Sequence, residues 1–475
     1  MEQSILHFYA EACKKFFDRL QNGEIADMEK MAESLLEDLK DLTCKLMSVV
    51  LEAANLEIRK DKDLQKELGL LMQEHDRIRS LLTSIGRIDY ARDYYKEKES
   101  GGYFYPLDEM TSVEAYQRIG HNIAAKIVNA TTKVSYQRAV DSVTGGSVSR
   151  QTAKNKIKEV GILEKAAPKD KSECKVLHVY ADEDHAHIQD KKRRSNATKS
   201  RGKRVPYVVI SEGIREECRN RRATINATHF ADKDLKSAVL WDSVAGYVNE
   251  AYEVSEGSKI YIHGDGASWI KTGCDVLPNA VPVMDGYHFE KELKRISRIF
   301  PNKNIRNRIR EMISKNDERG FKELMDSLVA DASVSDAKKG LGSKKYILDQ
   351  FEPIRNLLTL KIPGSCTEGQ ISHGLSERLS RDPMGWSKEG VGRMAMLRAY
   401  TNNGCKVEAS DFRRIETMKE KSILQEYAEN IYTHAVEGAV DWSLFEKEAF
   451  TMDKASGTQI LINAYGENYG SALIN

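Results

Sequence analysis

The order of short strand-like segments between residues 175 and 285 is the feature that most constrains the fold of this chain. Five runs are rich in Val, Ile, Tyr and Thr, and they lie at 175–182, 204–211, 222–230, 259–263 and 280–285. A helical segment at 232–252 separates the first three from the last two. Short runs of this composition predict strands, and a helix between them predicts a mixed α/β fold.

Helical patterns occupy most of the rest of the chain. Residues 2–98 contain almost no Gly or Pro and space their apolar residues three and four apart, which predicts helices. The cluster Ser100-Gly101-Gly102 then indicates a break before the next unit. Residues 288–358 follow a basic helical pattern, and the chain from 367 onward is also largely helical in style.

Length and composition describe a protein with a sizeable core. The chain has 475 residues, of which 40% are hydrophobic and 31% charged, and this length predicts two to four folding units. No run approaches 18 apolar residues, and the N-terminus lacks a signal-peptide pattern, so we expect a cytoplasmic protein and no membrane partner. The seven cysteines are scattered without CxxC spacing, which favours free thiols.

Residues 135–160 have the pattern of a helix, a tight turn and a second helix. Ser135 can cap the first helix, Gly145-Gly146 supplies the turn, and Ser149 can cap the second. The second helix is then expected to present four residues outward: Arg150, Gln151, Lys154 and Asn155. These residue types contact phosphates and base edges from a recognition helix, so we predict that this segment binds DNA.

Two basic stretches stand out although the net charge is only +1. Residues 188–222 carry 12 Lys/Arg against 4 Asp/Glu, and residues 288–316 carry 9 against 3. A charge run is often a solvated face, but two such patches beside candidate acidic sites favour a polyanion partner. The expected DNA contacts of the first patch are Lys191, Lys192, Arg193, Arg194, Lys203 and Arg204.

Three acids far apart in the sequence form a candidate catalytic set. Asp182 ends the first predicted strand, Asp265 ends the fourth within HGDGASW, and Glu368 begins a later helix. Each also has an ordinary explanation, as a strand-end acid, an Asp-Gly turn and a first-turn helix acid respectively. The glycines on either side of Asp265 would let a backbone or a phosphate approach closely.

The predicted helical phase of Glu368 favours a functional role for this residue. Ser365 or Thr367 can cap its helix. At about 100° per residue, the apolar residues of the helix fall near Glu368, at roughly 300°, 340° and 20° for Ile371, Leu375 and Leu379. Glu368 is therefore expected on the core-facing stripe and Glu377 on the solvent side. A carboxylate on an apolar stripe is costly unless it is paired or bound to a metal.

The first acidic motif, YADEDHAHIQ, offers alternatives to Asp182. Asp184 shares its strand face if the strand continues, whereas His185 and His187 lie on the other face. This favours Asp182 and Asp184 as competing metal ligands over the histidines. Carboxylates without a Cys/His set suit Mg²⁺ or Mn²⁺, and two such ions can activate a water or a 3′-hydroxyl for phosphodiester chemistry.

At these residues the chain resembles the DDE transposases of bacterial insertion sequences, specifically the ISLre-type group, which is distantly similar to the Mutator-like elements. The resemblance covers roughly residues 110–400. It rests on VYADEDHAHIQ, HGDGASWIK, the Asp285-Gly286-Tyr287-His288 segment and EGQISHGLSERLSRDPMGWS. It implies an RNase H-like catalytic core with a helical insertion, with Asp182, Asp265 and Glu368 as catalytic and metal-binding residues. Asp285 and His288 correspond to a secondary D/C-x-x-H signature.

The resemblance and the segment patterns together predict six regions. They are a helical N-terminal domain for dimerisation or DNA end binding at 1–100, a helix-turn-helix domain at 101–165, the first part of the RNase H-like core at 175–290, a helical insertion at 291–358, the last part of the core at 359–400 and a C-terminal helical region at 401–475. Trp269 and Trp386 could stack on flipped bases, although a core position is the simpler expectation for each.

The function expected from this resemblance is that of a DNA transposase. It would cleave phosphodiesters at the ends of an insertion sequence and join the 3′-hydroxyl to target DNA with two Mg²⁺ or Mn²⁺ ions. Its partners would be double-stranded DNA, as terminal repeats and target, and at least one further copy of the chain on the bacterial nucleoid. The alternatives are a non-catalytic DNA-binding regulator, or domesticated transposase, and an RNase H-like nuclease.

Overall fold

The computed structural model describes residues 2–24, 27–189, 202–218, 221–301, 304–362, 364–381 and 385–412, with 424, 428 and 431–432 in the C-terminal region. The chain divides into two compact units, one of Met1–Ala125 with Arg413–Asn475 and the other of Lys126–Phe412. The boundaries predicted at 100 and 165 do not coincide with this division and stay predictions. The end of the predicted helix-turn-helix domain belongs to the larger unit, and most of the predicted C-terminal region lies outside the described residues.

The first unit begins with helices and continues with a hairpin. Its elements in chain order are α1 (Glu2–Gln21), α2 (Met28–Lys60), α3 (Lys62–Glu67), β1 (Leu70–Leu82), β2 (Arg87–Glu97), β3 (Tyr103–Phe104) and α4 (Pro106–Met110), with α5 (His121–Thr131) crossing the boundary. Strands β1 and β2 pair antiparallel, and β2 packs against α2. None of the helices in the described residues is both long and apolar enough to cross a membrane.

The hairpin corrects the expectation that residues 1–100 are helical throughout. In β2, Ile88 and Tyr90 are buried, whereas Arg87 and Asp89, the residues that precede each of them, are exposed. This period of two is that of a half-buried strand. Because the chain there has no Gly or Pro within either strand, its apolar residues also fit a helical spacing. Only the pairing with β1 and the packing on α2 distinguish the two structures.

The second unit contains the predicted helix, turn and helix. α6 (Tyr136–Thr144) begins after Ser135, whose hydroxyl accepts a hydrogen bond from the Arg138 amide at 3.3 Å. Gly145 and Gly146 both have positive φ, 58° and 82°, as the turn requires. α7 (Arg150–Glu159) follows Ser149, which makes no side-chain cap hydrogen bond. The predicted geometry is confirmed, and Ser135 caps as expected.

Five strands of the second unit form one mixed sheet. The strands of this unit are β4 (Ser172–Glu173), β5 (Val176–Ala186), β6 (Lys203–Ser211), β7 (Gly213–Cys218), β8 (Arg221–Ile225), β9 (Thr228–Phe230), β10 (Tyr252–Glu253), β11 (Lys259–Gly264) and β12 (Ala280–Met284). The sheet has the order β12-β11-β5-β6-β9. β5 runs parallel to β11 and β11 parallel to β12, whereas β6 is antiparallel to β5 and to β9. The mixed α/β prediction is confirmed.

One predicted strand, 222–230, is divided in two by the structure. Its first part, β8, pairs with β7, a strand that was not predicted, and only β9 joins the main sheet. The break falls at Asn226, whose φ is 49°. Asn tolerates the left-handed region better than most residues, so it can redirect the chain between two sheets.

Helices cover the sheet and form a separate helical layer. In chain order they are α8 (Ser237–Ala251), α9 (Ser268–Val276), α10 (Gly286–Ile299), α11 (Ile305–Ser314), α12 (Glu318–Ala330), α13 (Val334–Asp349), α14 (Phe351–Thr359), α15 (Thr367–Ile371), α16 (Glu377–Leu379) and α17 (Lys388–Asn402). α8 and α9 share an apolar core with one face of the sheet, and α10–α14 enclose their own core. The basic segment 288–358 is therefore largely helical, as its pattern predicts.

Candidate acidic site at the ends of three strands

Three aspartates lie side by side across three neighbouring parallel strands, at the level where two of these strands, β11 and β12, end. His263 of β11 pairs with Tyr180 of β5, and Gly264 pairs with Met284 of β12. Asp265 and Asp285 therefore come directly after their strands, at the level where Asp182 lies on β5. The Asp285 amide donates to the Gly264 carbonyl at 2.8 Å, which continues the pairing to this edge. Ligands commonly bind beyond the carboxyl ends of parallel strands.

The loop that carries Asp265 is held by several short-range contacts. The Asp265 carboxylate accepts a hydrogen bond from the Ala267 amide at 2.8 Å. A side chain at Gly264 would come within 2.8 Å of the Ile270 side chain and 3.0 Å of the Ala181 carbonyl, so a larger residue there would require Ile270 or the neighbouring strand to shift. Gly266 has a φ of 86° and a side chain there would overlap Gln350. These constraints fix the backbone of the predicted catalytic loop.

Two residues of the helical insertion contact the same loop, and sequence reasoning did not find them. The Tyr346 hydroxyl donates to the Asp265 carbonyl at 3.2 Å, and the Gln350 amide donates to the Gly266 carbonyl at 3.1 Å. Both lie more than 80 residues along the chain from their partners. No local pattern predicts such contacts, because only the packing of α13 beside the sheet brings them there.

Asp285 and His288 belong to the acidic cluster. Asp285 is buried, and the His288 Nδ1 lies 3.1 Å from its Oδ2. This hydrogen bond raises the pKa of His288, and the charges of Asp285, Asp182 and Asp265 raise it further. The two residues predicted as secondary therefore stand beside Asp182 and Asp265.

Burial and the neighbouring carboxylates both raise the pKa of Asp182. Burial raises its pKa to about 6, and the negative charges of Asp265 and Asp285 act in the same direction. A hydrogen bond from the Glu183 amide, at 2.8 Å, and the charge of His288 oppose this rise. The ionised form of Asp182 is thus destabilised in the metal-free protein, which is the situation that a bound cation would relieve.

The raised pKa of Asp182 predicts how stability depends on pH. A folded-state pKa of about 6 against roughly 3.9 in the unfolded chain means that the folded state holds its proton more tightly. This group therefore lowers the free energy of unfolding as pH rises from about 4 to about 6. In EDTA, Asp182→Asn should be more stable than the wild type by about 3 kcal/mol at pH 7.5, and the difference should shrink toward pH 4.

Urea denaturation at a series of pH values would measure this difference. Asp275→Asn, at an exposed acid of α9, is the matched control and should show no such pH-dependent gain. A stability difference for Asp182→Asn that stays constant from pH 4 to pH 7.5 would contradict the assignment.

The rest of the first acidic motif divides between the two faces of β5. The strand continues through Ala186, so Asp184 shares the face of Asp182 as predicted. Asp184 Oδ2 is buried and has no hydrogen-bond partner among the described residues. Glu183 lies on the opposite face, where its Oε2 accepts a hydrogen bond from Trp269 Nε1 at 2.6 Å. Asp184 therefore stays an alternative to Asp182, whereas Glu183 has a structural partner.

Glu368 corrects the expectation of a core-facing carboxylate. Its side chain is exposed, whereas Thr367 and Ile371 on either side are buried. The predicted phase assumed a regular α-helix, but α15 has only five residues and continues as a π-helical turn, Ser372–Ser376. The apolar part of the predicted stripe is kept, because Ile371, Leu375 and Leu379 are all buried, but Glu368 in the first turn is not buried with it. α15 does pack against β5, the strand of Asp182.

Glu377 is exposed as predicted, and it is also paired. Its carboxylate lies 3.1 Å from His373 Nδ1 and 3.5 Å from Arg381 Nη1. These contacts lower its pKa, the His373 hydrogen bond most of all.

The catalytic role expected for Glu368 stays a prediction, because the structure brings Asp182, Asp265 and Asp285 together and leaves Glu368 outside that group.

A pair of buried histidines lies directly behind the acidic cluster. His178 Nδ1 and His263 Nε2 are 3.0 Å apart, and Tyr180 stacks on both rings. Burial lowers the pKa of His178 and lowers that of His263 to about 3, so both are neutral at pH 7. This pair was not predicted from the sequence. Strand alternation does place His178, Tyr180 and Asp182 on one face of β5, but it does not indicate that His263 lies beside them.

The chemistry of the cluster fits a hard divalent cation. Its donors are carboxylates, which Mg²⁺ and Mn²⁺ prefer, and Asp184 offers a buried carboxylate oxygen with no described partner. Among the described residues, no three His, Cys, Asp or Glu side chains are arranged to hold a metal ion as they stand. Binding would therefore require side-chain rotation or a further ligand, for example from a substrate phosphate.

The residues predicted to contact DNA are partly described. Arg150, Gln151 and Asn155 are exposed on α7, and Lys154 is half-buried. α7 is held against α17, where the Arg393 guanidinium donates to the Val160 carbonyl at 3.1 Å. Of the first basic patch, Lys203 and Arg204 are exposed, and Lys191, Lys192, Arg193 and Arg194 lie outside the described residues. Trp269 and Trp386 are buried core residues, as the simpler expectation had them.

The fold and the site define a class of protein, namely one with a mixed α/β unit that carries an acidic cluster on its parallel strands. Residues 21–421 match the family described as "Uncharacterised protein family (UPF0236)". The chain belongs to this family.

Relatives in two bacteria match most of the chain. A UPF0236 protein of Caldanaerobacter subterraneus subsp. tengcongensis is 34% identical over 426 residues, which cover 89% of this chain and 86% of the relative. Its name joins eleven locus designations. A second UPF0236 protein of that organism, whose name joins four locus designations, is 33% identical over 428 residues. The match covers 89% of this chain and 86% of the relative. One from Streptococcus gallolyticus, named for the vanSb 3′ region, is 24% identical over 391 residues and covers 77% and 83%.

Proposed function

We propose that the protein is a metal-dependent DDE transposase, which cleaves DNA at the ends of a mobile element and joins the freed 3′-hydroxyl to target DNA. The observation that carries this proposal is the grouping of Asp182, within β5, with Asp265 and Asp285, which directly follow the two parallel strands beside it. Phosphodiester chemistry by metal ions needs a small set of carboxylates on a rigid frame, and strand ends provide such a frame.

The topology of the sheet supports an RNase H-like core. In chain order, its first three strands are antiparallel neighbours, and the fourth and fifth then add in parallel beside the first. Asp182 lies on the first strand and Asp265 directly after the fourth. Glu368 follows a helical insertion, α10–α14. This is the placement of acids that the resemblance to DDE transposases implies.

Each residue of the cluster has a distinct part in the proposed reaction. Asp182 and Asp265 would hold the cation, with Asp184 and Glu368 as further candidate ligands. Mg²⁺, when bound, supplies the positive charge that activates water and stabilises a leaving oxygen. His288 orients the Asp285 carboxylate through their hydrogen bond. The turn at Gly266 and its contact with Gln350 keep Asp265 in place.

A basic and aromatic face of α10 begins at the acidic cluster. Tyr287 is 58% exposed, and the Lys291 ammonium lies 5.9 Å from its ring centre. Along the same helix the exposed cations are Lys291, Lys294, Arg295 and Arg298. Cations interleaved with an exposed ring suit a nucleic-acid strand, since the cations contact phosphates and the ring stacks on a base. This face would bring DNA to the carboxylates.

The relatives add independent support from their names. A single name that joins eleven locus designations of one organism describes a protein encoded many times in that genome. Repetition of a coding sequence within a genome is what an element that copies or moves itself produces. A chromosomal regulator gives no physical reason for such repetition.

The test is an assay of cleavage and joining with the wild-type protein. It would be incubated with DNA carrying the flanking ends of its own coding region, with Mg²⁺ or with EDTA. The proposal expects metal-dependent nicks at the ends and covalent products that join a 3′-end to target DNA. Cleavage without joining would favour a nuclease, and DNA binding without cleavage would favour a non-catalytic regulator.

Tyr287 gives a prediction for DNA binding that does not depend on catalysis. Tyr287→Ala should weaken binding of a single-stranded oligonucleotide about tenfold in EDTA, because stacking of one base on an aromatic side chain contributes on the order of 1–3 kcal/mol. Fluorescence anisotropy with a labelled oligonucleotide measures the loss. Tyr287→Phe keeps the ring and should bind like the wild type. Equal binding by Tyr287→Ala, or a loss in Tyr116→Ala at another exposed tyrosine, would contradict this role.

A further inference from the structure

Helix α2 exposes an apolar stripe between Met28 and Met47. Its members are large apolar residues that a single helix rarely leaves in water together, with exposed fractions of 81% for Met28, 41% for Leu35, 53% for Leu36, 54% for Leu39 and 40% for Met47. At 100° per residue they fall within an arc of about 120° and extend along roughly 29 Å of helix. Such a contiguous patch marks an interaction surface.

The described neighbours of α2 lie on other sides of this helix. α1 packs along a flank where Arg19 pairs with Asp38 and Glu11 with Lys45. The hairpin packs against the C-terminal half, where the Ser48 hydroxyl donates to the Asp89 carbonyl at 2.7 Å. The stripe therefore faces neither the α1 contact nor the Ser48 contact, whereas further along the helix the same side is covered, because Ala54 is fully buried.

We propose that this stripe is the contact between two copies of the chain, which pair their α2 helices antiparallel about a two-fold axis near residue 37. A two-fold interface must be self-complementary, because the same patch contributes both sides. About this axis Leu35 of one copy faces Leu39 of the other, and Met28 faces Leu46. Every apolar residue of the stripe then meets an apolar residue or lies beside one.

The charges beside the stripe select this arrangement. Glu33 and Lys40 are both exposed, and neither has an ion-pair partner among the described residues. They are seven residues apart and lie on the same flank of the stripe, about 100° from its centre. In an antiparallel pair, equal flanks meet, so each Glu33 faces the Lys40 of the other copy and two ion pairs form. A parallel pair would place them on opposite sides of the seam.

This proposal makes no use of the acidic site or of DNA, so it stands or fails separately from the proposed function. Sedimentation equilibrium of the full chain without DNA is the measurement. The wild type should be a concentration-dependent dimer, and Leu39→Glu should raise the dissociation constant at least about 100-fold because it buries a charge in the seam. Glu33→Lys and Lys40→Glu should each weaken the dimer about tenfold by placing like charges opposite one another.

The double variant Glu33→Lys with Lys40→Glu supplies the decisive comparison. It should restore the wild-type dissociation constant, because the exchanged charges face each other again. Circular dichroism should be unchanged in all these variants, since the substituted side chains are exposed in the single chain. A monomer at every accessible concentration overturns the proposal, and so does a double variant that is as weak as, or weaker than, the single ones.

Discussion

Asp265→Asn is expected to abolish metal-dependent cleavage of element-end DNA, with a loss of about 10³-fold or more, while binding of the same DNA persists. Asparagine keeps the size of the side chain and can still accept the hydrogen bond from the Ala267 amide. It removes the negative charge that a divalent cation requires. The loss should therefore appear in the rate of cleavage at saturating protein and DNA, measured as nicked product over time in Mg²⁺.

The control for this substitution is Asp275→Asn, at an exposed aspartate of α9 ten residues further on. It should cleave like the wild type. Asp285→Asn and Glu368→Gln, tested in the same assay, decide which acid is the third member of the site. Equal activity of Asp265→Asn and the wild type would remove the catalytic assignment of the whole cluster, because Asp265 is its best-constrained residue.

The strands of the sheet could be predicted because their residues are apolar on both faces. A run such as 204–211 in RVPYVVIS is buried nearly throughout, and continuous apolar runs of this length read as central strands. The hairpin at 70–97 is different. Its strands are half exposed, and the alternation in β2 is interrupted at Ala91 and Arg92, so the apolar residues fit a helical spacing as well. Tertiary packing on α2 decides between the two structures.

The acidic site, too, could be predicted from the sequence only in part. The sequence predicts that Asp182 belongs to one strand and that Asp265 follows another, although β5 continues beyond Asp182 to Ala186. Their adjacency depends on strand order and register, which long-range pairing sets. The inclusion of Asp285 and His288 in the cluster needed the fifth strand to lie beside the fourth. Glu368 could not be placed, because it lies in the first turn of the short helix α15, where burial depends on what packs beside the start of the helix and not on helical phase alone.

Gly392 offers the largest expected effect on stability in the sheet-containing unit. It lies within α17, where residues 390–392 and 394–399 are buried. A methyl group at this position would overlap the carbonyl group of Lys233, in the segment that leads into α8. A backbone carbonyl cannot rotate away as a flexible side chain can, so relief requires α17 or this segment to shift.

Gly392→Ala should therefore lower the free energy of unfolding by about 3 kcal/mol, at the upper end of the usual cost of overpacking. Gly246→Ala is the matched control, since Gly246 lies within α8 and a methyl group there would meet no atom within 4 Å. That substitution should raise stability by about 0.5–1 kcal/mol through helix propensity alone. Urea denaturation monitored by circular dichroism measures both. If Gly392→Ala lowers stability and Gly246→Ala raises it, the close approach of α17 to Lys233 is the reason that position 392 requires glycine. A gain in stability for both variants would contradict this explanation.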